Sequence, residues 1–150
     1  MKGIYKYTVT REKVSEIRED SKANGPLELV DFLRTLPFVE AEQEHFLVVM
    51  LDAKNKIKAY TTVTIGLVDR SQVHAREVFR AAIIAGACRV VFAHNHPSGD
   101  PTPSPQDLTC TNDLVAAGKI IGIEVIDHIV MGEPTGTSTG WLSFREQGLL

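Results

Sequence analysis

The chain has 150 residues, 43% hydrophobic and 23% charged, with a formal net charge of -3. That suits one globular domain, excludes a disordered or collagen-like chain, and gives no bulk invitation to nucleic acid or anionic membrane. Two cysteines exclude a disulfide scaffold, no apolar run approaches the ~18 residues of a membrane span, and "MKGIYKYTVTREKV" has no signal-peptide core, so a reduced, cytoplasmic protein is expected.

Residues 1–26 read as an N-terminal extension: "IYKYTV" alternates like an edge strand, and "TREKVSEIREDSKANG" is a polar linker. The domain proper is expected over 27–150. After Pro26, "LELVDFLRTL" spaces Leu27, Val30, Leu33 and Leu36 as a helix, which Pro37 stops. "HFLVVMLD" is a continuous apolar run, the pattern of a strand covered on both faces, and "AKNK" turns it into a hairpin partner, "IKAYTTVTI". "SQVHAREVFRAAIIAG" predicts a helix with Ser71 as N-cap, Val73, Val78, Phe79, Ala82 and Ile83 on one side, and Gly86 as its stop. "CRVVFAH" is a second buried strand, "SPQDLTCTNDLVAAGKIIG" a further helix and "EVIDHIVMG" a further strand. Helices alternating with buried strands imply an α/β fold, three layers around a mixed central sheet.

The chemistry gathers where "RVVFA" runs into "HNHPSGDPTPSPQD". In a strand, residues i and i+2 share a face, so His94 and His96 can aim at one point beyond its end. The Pro- and Gly-rich loop turns back, and Asp107 enters the next helix. Two imidazole nitrogens and a carboxylate oxygen suit a catalytic zinc with its fourth position open, whereas structural zinc sites are closed and favour thiolates. A plainer reading also holds: Ser104 as N-cap, Pro105 at the first helical position and Asp107 serving the helix dipole, with both histidines as satisfied polar groups at a strand end. The two are compatible, because a hydroxyl such as that of Ser104 accepts one bond while donating another.

His94, His96, Ser104 and Asp107 match the JAMM motif at full spacing: His-x-His, seven residues, Ser, two residues, Asp. The wider stretch from Ser71 to Gly132 closely resembles the RadC-like branch of the JAB/MPN metalloprotease superfamily, and the resemblance extends from about Leu27 to the C-terminus. It implies a zinc-binding, cytidine-deaminase-like α/β/α domain, with relatives that are isopeptidases removing ubiquitin or ubiquitin-like tails. Longer RadC-like proteins carry an N-terminal helical, DNA-binding-like domain that this sequence does not show, so the family's DNA-repair label draws no support from it.

What the resemblance implies is metal-assisted amide hydrolysis of a peptide or protein substrate. Zinc would acidify its bound water and polarise the scissile carbonyl, and Ser104 would donate to the developing oxyanion. The family places its proton-carrying glutamate just before the first core strand, which is Glu44 in "EQEHFLVVML"; Glu42 lies two residues earlier, and Glu77, three residues after His74 on a helix, is the rival base. The ordinary reading of His74 and Glu77 is a solvated helix face. Cys110 reads as a buried small hydrophobe, Asp100 as a solvated loop acid or a substrate contact, and Trp141 as an anchor for the C-terminal tail. His128 reads either as a group supporting the site or as simple packing. The competing class is a scaffold or DNA-associated module with little or no catalysis. A nuclease fits poorly, since one three-ligand site lacks the acidic cluster of two-metal chemistry.

Overall fold

The computed structural model describes residues 3–6, 8, 10–13, 21–68 and 72–150. Its organising strand is β1 (His45–Leu51), buried from Phe46 onward. Phe46, Val48 and Met50 point into one core cluster, and Leu47, Val49 and Leu51 into the other. Continuous rather than alternating hydrophobicity is what a strand covered on both faces requires.

The turn after β1 is built by Asp52, whose Oδ1 accepts from the backbone N–H of Lys54 and Lys56 at 2.7 and 2.9 Å. It returns the chain into β2 (Ile57–Ile65), antiparallel to β1. On the other side of β1 lies β3 (Arg89–Asn95), also antiparallel, and β3 pairs in parallel with β4 (Glu124–Met131). A short β5 (Trp141–Ser143) closes that side, giving a mixed sheet in the order β2-β1-β3-β4-β5. Helix α1 (Pro26–Leu33) covers one face, burying Leu29, Val30 and Leu33. Helices α2 (Ala75–Ile84) and α3 (Pro105–Ile121) cover the other, through Val78, Phe79, Ala82, Cys110 and Leu114. The α/β class, with a mixed sheet between helical layers, is as expected.

Several local expectations are corrected. In the first helix Leu27 is exposed and Leu29 takes the buried position, and the helix ends at Leu33, after which Pro37–Glu40 forms a 3-10 turn. In α2, Ile83 is exposed rather than core-facing, and the helix starts at Ala75 with His74 at the cap position; Ser71 lies outside the described residues. Residues 4–6 and 8, the described part of the expected edge strand, are exposed and belong to no strand. Lys22, in the expected linker, makes an isolated bridge to Lys56. The sequence reading had no counterpart for β5.

Candidate metal centre

The end of β3 carries the site. His94 is its penultimate residue, fully buried and opposite Phe46 on β1 and Val130 on β4. His96 follows the strand, its backbone N–H tied to the Met131 carbonyl at 2.7 Å. The loop beyond is clamped from β4's end: Gly99 N–H donates to His96 O, and Glu133 N–H donates to Gly99 O. Gly132 permits this approach, because a Cβ there would collide with the Gly99 carbonyl. The loop then delivers Ser104 as the N-cap of α3 in a full capping box: Ser104 Oγ accepts from Asp107 N–H, and Asp107 Oδ2 accepts from Ser104 N–H at 2.8 Å.

One carboxylate oxygen of Asp107 therefore faces both histidines. Asp107 Oδ2 lies 3.4 Å from His94 Nε2 and 3.2 Å from His96 Nε2, and the two nitrogens are 2.9 Å apart. A tetrahedral zinc with bonds of about 2.0–2.1 Å needs ligand atoms roughly 3.3 Å apart; the two Asp107 separations match this, and the His94–His96 pair at 2.9 Å has only to open slightly. His96 Nδ1 is 2.7 Å from the Asp100 carbonyl, which can only accept. Nδ1 therefore carries a proton, and in the neutral ring Nε2 presents a lone pair.

The charges follow from these contacts. Burial pushes the Asp107 carboxyl up, but without a metal the imidazoles of His94 and His96 bond to it as donors, and these bonds, the charge on His94 and the Ser104 N–H outweigh burial, holding the carboxyl well below the usual range. For His96 burial pulls down, but Asp107, the Asp100 carbonyl and the charge of Glu44 raise the imidazole overall. Behind the ligands, His128 is fully buried, and burial followed by the charge on His94 presses it well below the ordinary imidazole value. His128 Nε2 meets His94 Nδ1 at 2.7 Å, and its Nδ1 meets Thr111 Oγ1, also at 2.7 Å.

The structure thus brings together His94, His96 and Asp107, the one group of metal-ligand type found among the described residues. Ser104 adjoins it. Glu44 sits just before β1, half-buried, with Oε2 accepting from Val68 N–H at 3.0 Å and its charge reaching His96. Glu77 is 47% exposed and pairs with Arg76 and Arg80; His74 and Glu42 are exposed as well. Cys110 is core, and Asp100 serves through its backbone carbonyl while its side chain binds Thr102. Trp141 packs against the α1-side core from β5.

Sequence reasoning assigned no role to two residues that the geometry brings in. Asn95, between the histidines, is buried; its Oδ1 accepts from His45 N–H at 2.7 Å, and its Nδ2 donates to the carbonyls of Ala41 and Gln43 at 3.2 and 3.0 Å. It holds the segment carrying Glu44 against β3. Thr111, one helical turn after Asp107, donates to the Asp107 carbonyl and touches His128. A polar residue closing an apolar strand was the available signal for Asn95; for Thr111 there was none.

Comparison with known proteins agrees with this architecture. The profile of the RadC-like JAB domain matches residues 24–149. The UPF0758 protein of Caldanaerobacter subterraneus subsp. tengcongensis is 51% identical over 106 residues, covering 71% of this chain and 43% of that protein. Those of Symbiobacterium thermophilum and Rubrobacter xylanophilus are 51% identical over 107 residues and 45% identical over 121, covering 71% and 81% of this chain and 44% and 51% of theirs. The chain spans about half the length of these relatives, and their names state no activity. No helix among the described residues is long and apolar enough to cross a membrane. With its mixed sheet, its helical layers and a His94–His96–Asp107 centre at the end of β3, the chain belongs to the RadC-like JAB domain family.

Proposed function

We propose that this chain is a zinc-dependent hydrolase that cleaves a peptide or isopeptide bond. The observation supporting it is the convergence of three acceptor atoms, His94 Nε2, His96 Nε2 and Asp107 Oδ2, at the spacing of zinc ligands, with three protein ligands and not the four of a closed structural site. Zinc held there would supply Lewis-acid polarisation of a carbonyl and would acidify a water.

The protein's own groups divide the remaining work. Glu44 is the proton carrier: one carboxylate oxygen is tethered by Val68 N–H, which leaves the other to accept a proton and return it to the leaving amine. Ser104 Oγ already accepts from Asp107 N–H and donates to no acceptor among the described residues, so its proton is available to an oxygen gaining negative charge. Asp107 stays ionised, since its hydrogen bonds hold it so far down. The substrate is a peptide or protein segment; its identity is open to a screen. Peptide, isopeptide and nucleic-acid substrates, each with and without chelator, separate the classes. Chelator-sensitive amide cleavage supports the proposal. Chelator-insensitive DNA binding with no hydrolysis contradicts it and favours a scaffold or DNA-associated role.

A further inference from the structure

We propose that Thr111 and His128 are positioning residues that lock His94 in the tautomer protonated on Nδ1, so that its Nε2 lone pair is presented to a metal. This rests on the metal-binding part of the reading above and deepens it. Three buried contacts form a continuous chain, each 2.7 Å long: Asp107 carbonyl to Thr111 Oγ1, Thr111 Oγ1 to His128 Nδ1, and His128 Nε2 to His94 Nδ1. Three protons are shared among them, and only one arrangement places a proton in every contact.

In the first arrangement, the Thr111 hydroxyl donates to the Asp107 carbonyl, which can only accept. Thr111 Oγ1 must then accept from His128 Nδ1–H. Neutral His128 is left with a lone pair on Nε2, which accepts from His94 Nδ1–H, and His94 Nε2 is bare toward His96 and Asp107. All three contacts are hydrogen bonds. The unfavourable feature is the meeting of three acceptors at the centre, and a cation there relieves it.

In the fully reversed arrangement, the chain runs backwards. Thr111 donates to His128 Nδ1, His128 Nε2–H donates to His94 Nδ1, and His94 carries its proton on Nε2, where a metal ligand needs a lone pair. Two oxygens, Thr111 Oγ1 and the Asp107 carbonyl, then face each other at 2.7 Å with no proton between them. Nothing at the centre can relieve that clash. Every arrangement that puts the His94 proton on Nε2 leaves one of the three contacts without a proton, so metal binding and the first arrangement favour each other. His96 needs no such relay, because the Asp100 carbonyl fixes it directly.

His128 is held for this role by packing. Its ring stacks on Phe144 with centroids 4.6 Å apart and meets Phe46 and Phe92 edge-on. The Thr111 hydroxyl is the proton source that sets the direction. Removing it leaves His128 without a partner at Nδ1 and free to reverse.

The test is the zinc affinity of the whole chain, measured by competition with a chelator, for the parent, Thr111→Val and Thr111→Ser, together with imidazole 15N shifts of the parent with and without zinc. Thr111→Val is nearly isosteric and is expected to bind zinc about 10- to 100-fold more weakly while unfolding cooperatively, as loss of a partner supporting a ligand does. Thr111→Ser, which restores the hydroxyl, is expected to recover most of that. The 15N shifts are expected to show His94 and His128 both protonated on Nδ1 in the zinc form. They decide the matter even if Thr111→Val fails to fold, since a zinc form with His128 protonated on Nε2 overturns the proposal. A parent that binds zinc tightly with Thr111→Val within about twofold of it overturns the relay alone. A parent that takes up no zinc overturns the metal reading and the relay with it.

Discussion

Glu44 and Glu77 show how two acids of similar prospect in the sequence separate once their surroundings are known. Glu77 is half-exposed and bonded to arginines on its own helix, whereas Glu44 is anchored by Val68 N–H and its charge reaches His96. Glu44→Gln keeps an acceptor for Val68 but loses the proton acceptor. It should retain zinc and fold yet lower the hydrolytic rate by about 10²- to 10⁴-fold. Glu77→Gln, measured in the same assay, should stay within about twofold. The ligands themselves were legible because their relation is local: i and i+2 at a strand's end, then the acid of a helix's capped first turn eleven residues past His96. Asn95 was not legible as a site residue, and His128 was left between supporting the site and simple packing, because what they do depends on partners 50 and 34 residues distant in sequence. Spacing rules do not reach that far.

Among the elements, β3 does the most to assemble the site. It carries His94, positions His96, and through Asn95 fastens the segment leading into β1. Asn95→Ala removes three hydrogen bonds at once and leaves their backbone partners part-buried. The expected cost is about 1–3 kcal/mol in denaturant unfolding, with hydrolysis reduced through misplacement of Glu44 and zinc content unchanged. Loss of zinc in that variant would assign Asn95 to ligand support instead. The central strands were legible from their continuous apolar runs, and α3 from its Ser-Pro start and the Gly122 stop, which adopts φ 83°. Element edges were less so. Ile83 fits the helical period but faces solvent at the end of α2, and β5 is three residues long, too short for any pattern to reveal. It forms because the chain after the Gly132 turn is brought back along β4.

For the molecule as a whole, the class of fold follows from binary pattern, since two-sided burial of β1 and β3 demands helices on both faces. The closure of the C-terminal segment does not follow from it. Phe144 is fully buried on His128, and Asp127 is pushed up by burial while accepting from Ser143, Arg145 and His128. The buried neutral His128 also couples stability to pH. Its folded-state pKa is depressed, so the unfolded chain takes up a proton that the fold refuses. Its contribution is present above the ordinary imidazole value and is lost as pH falls below it, with a limiting slope of about 1.4 kcal/mol per pH unit. His96, raised in pKa, acts in the opposite sense. The metal-free parent and His128→Gln should therefore be compared by urea unfolding at pH 7 and pH 5, and the parent should lose more stability than the variant over that interval. An equal loss in both would remove His128 as the source. Everything proposed about function depends on the metal, and the decisive measurement is the zinc content of protein purified without a polyhistidine tag, for the parent and for the His94→Ala/His96→Ala double variant. About one zinc per chain in the parent and essentially none in the folded double variant is the predicted result; undiminished zinc in the double variant would contradict it.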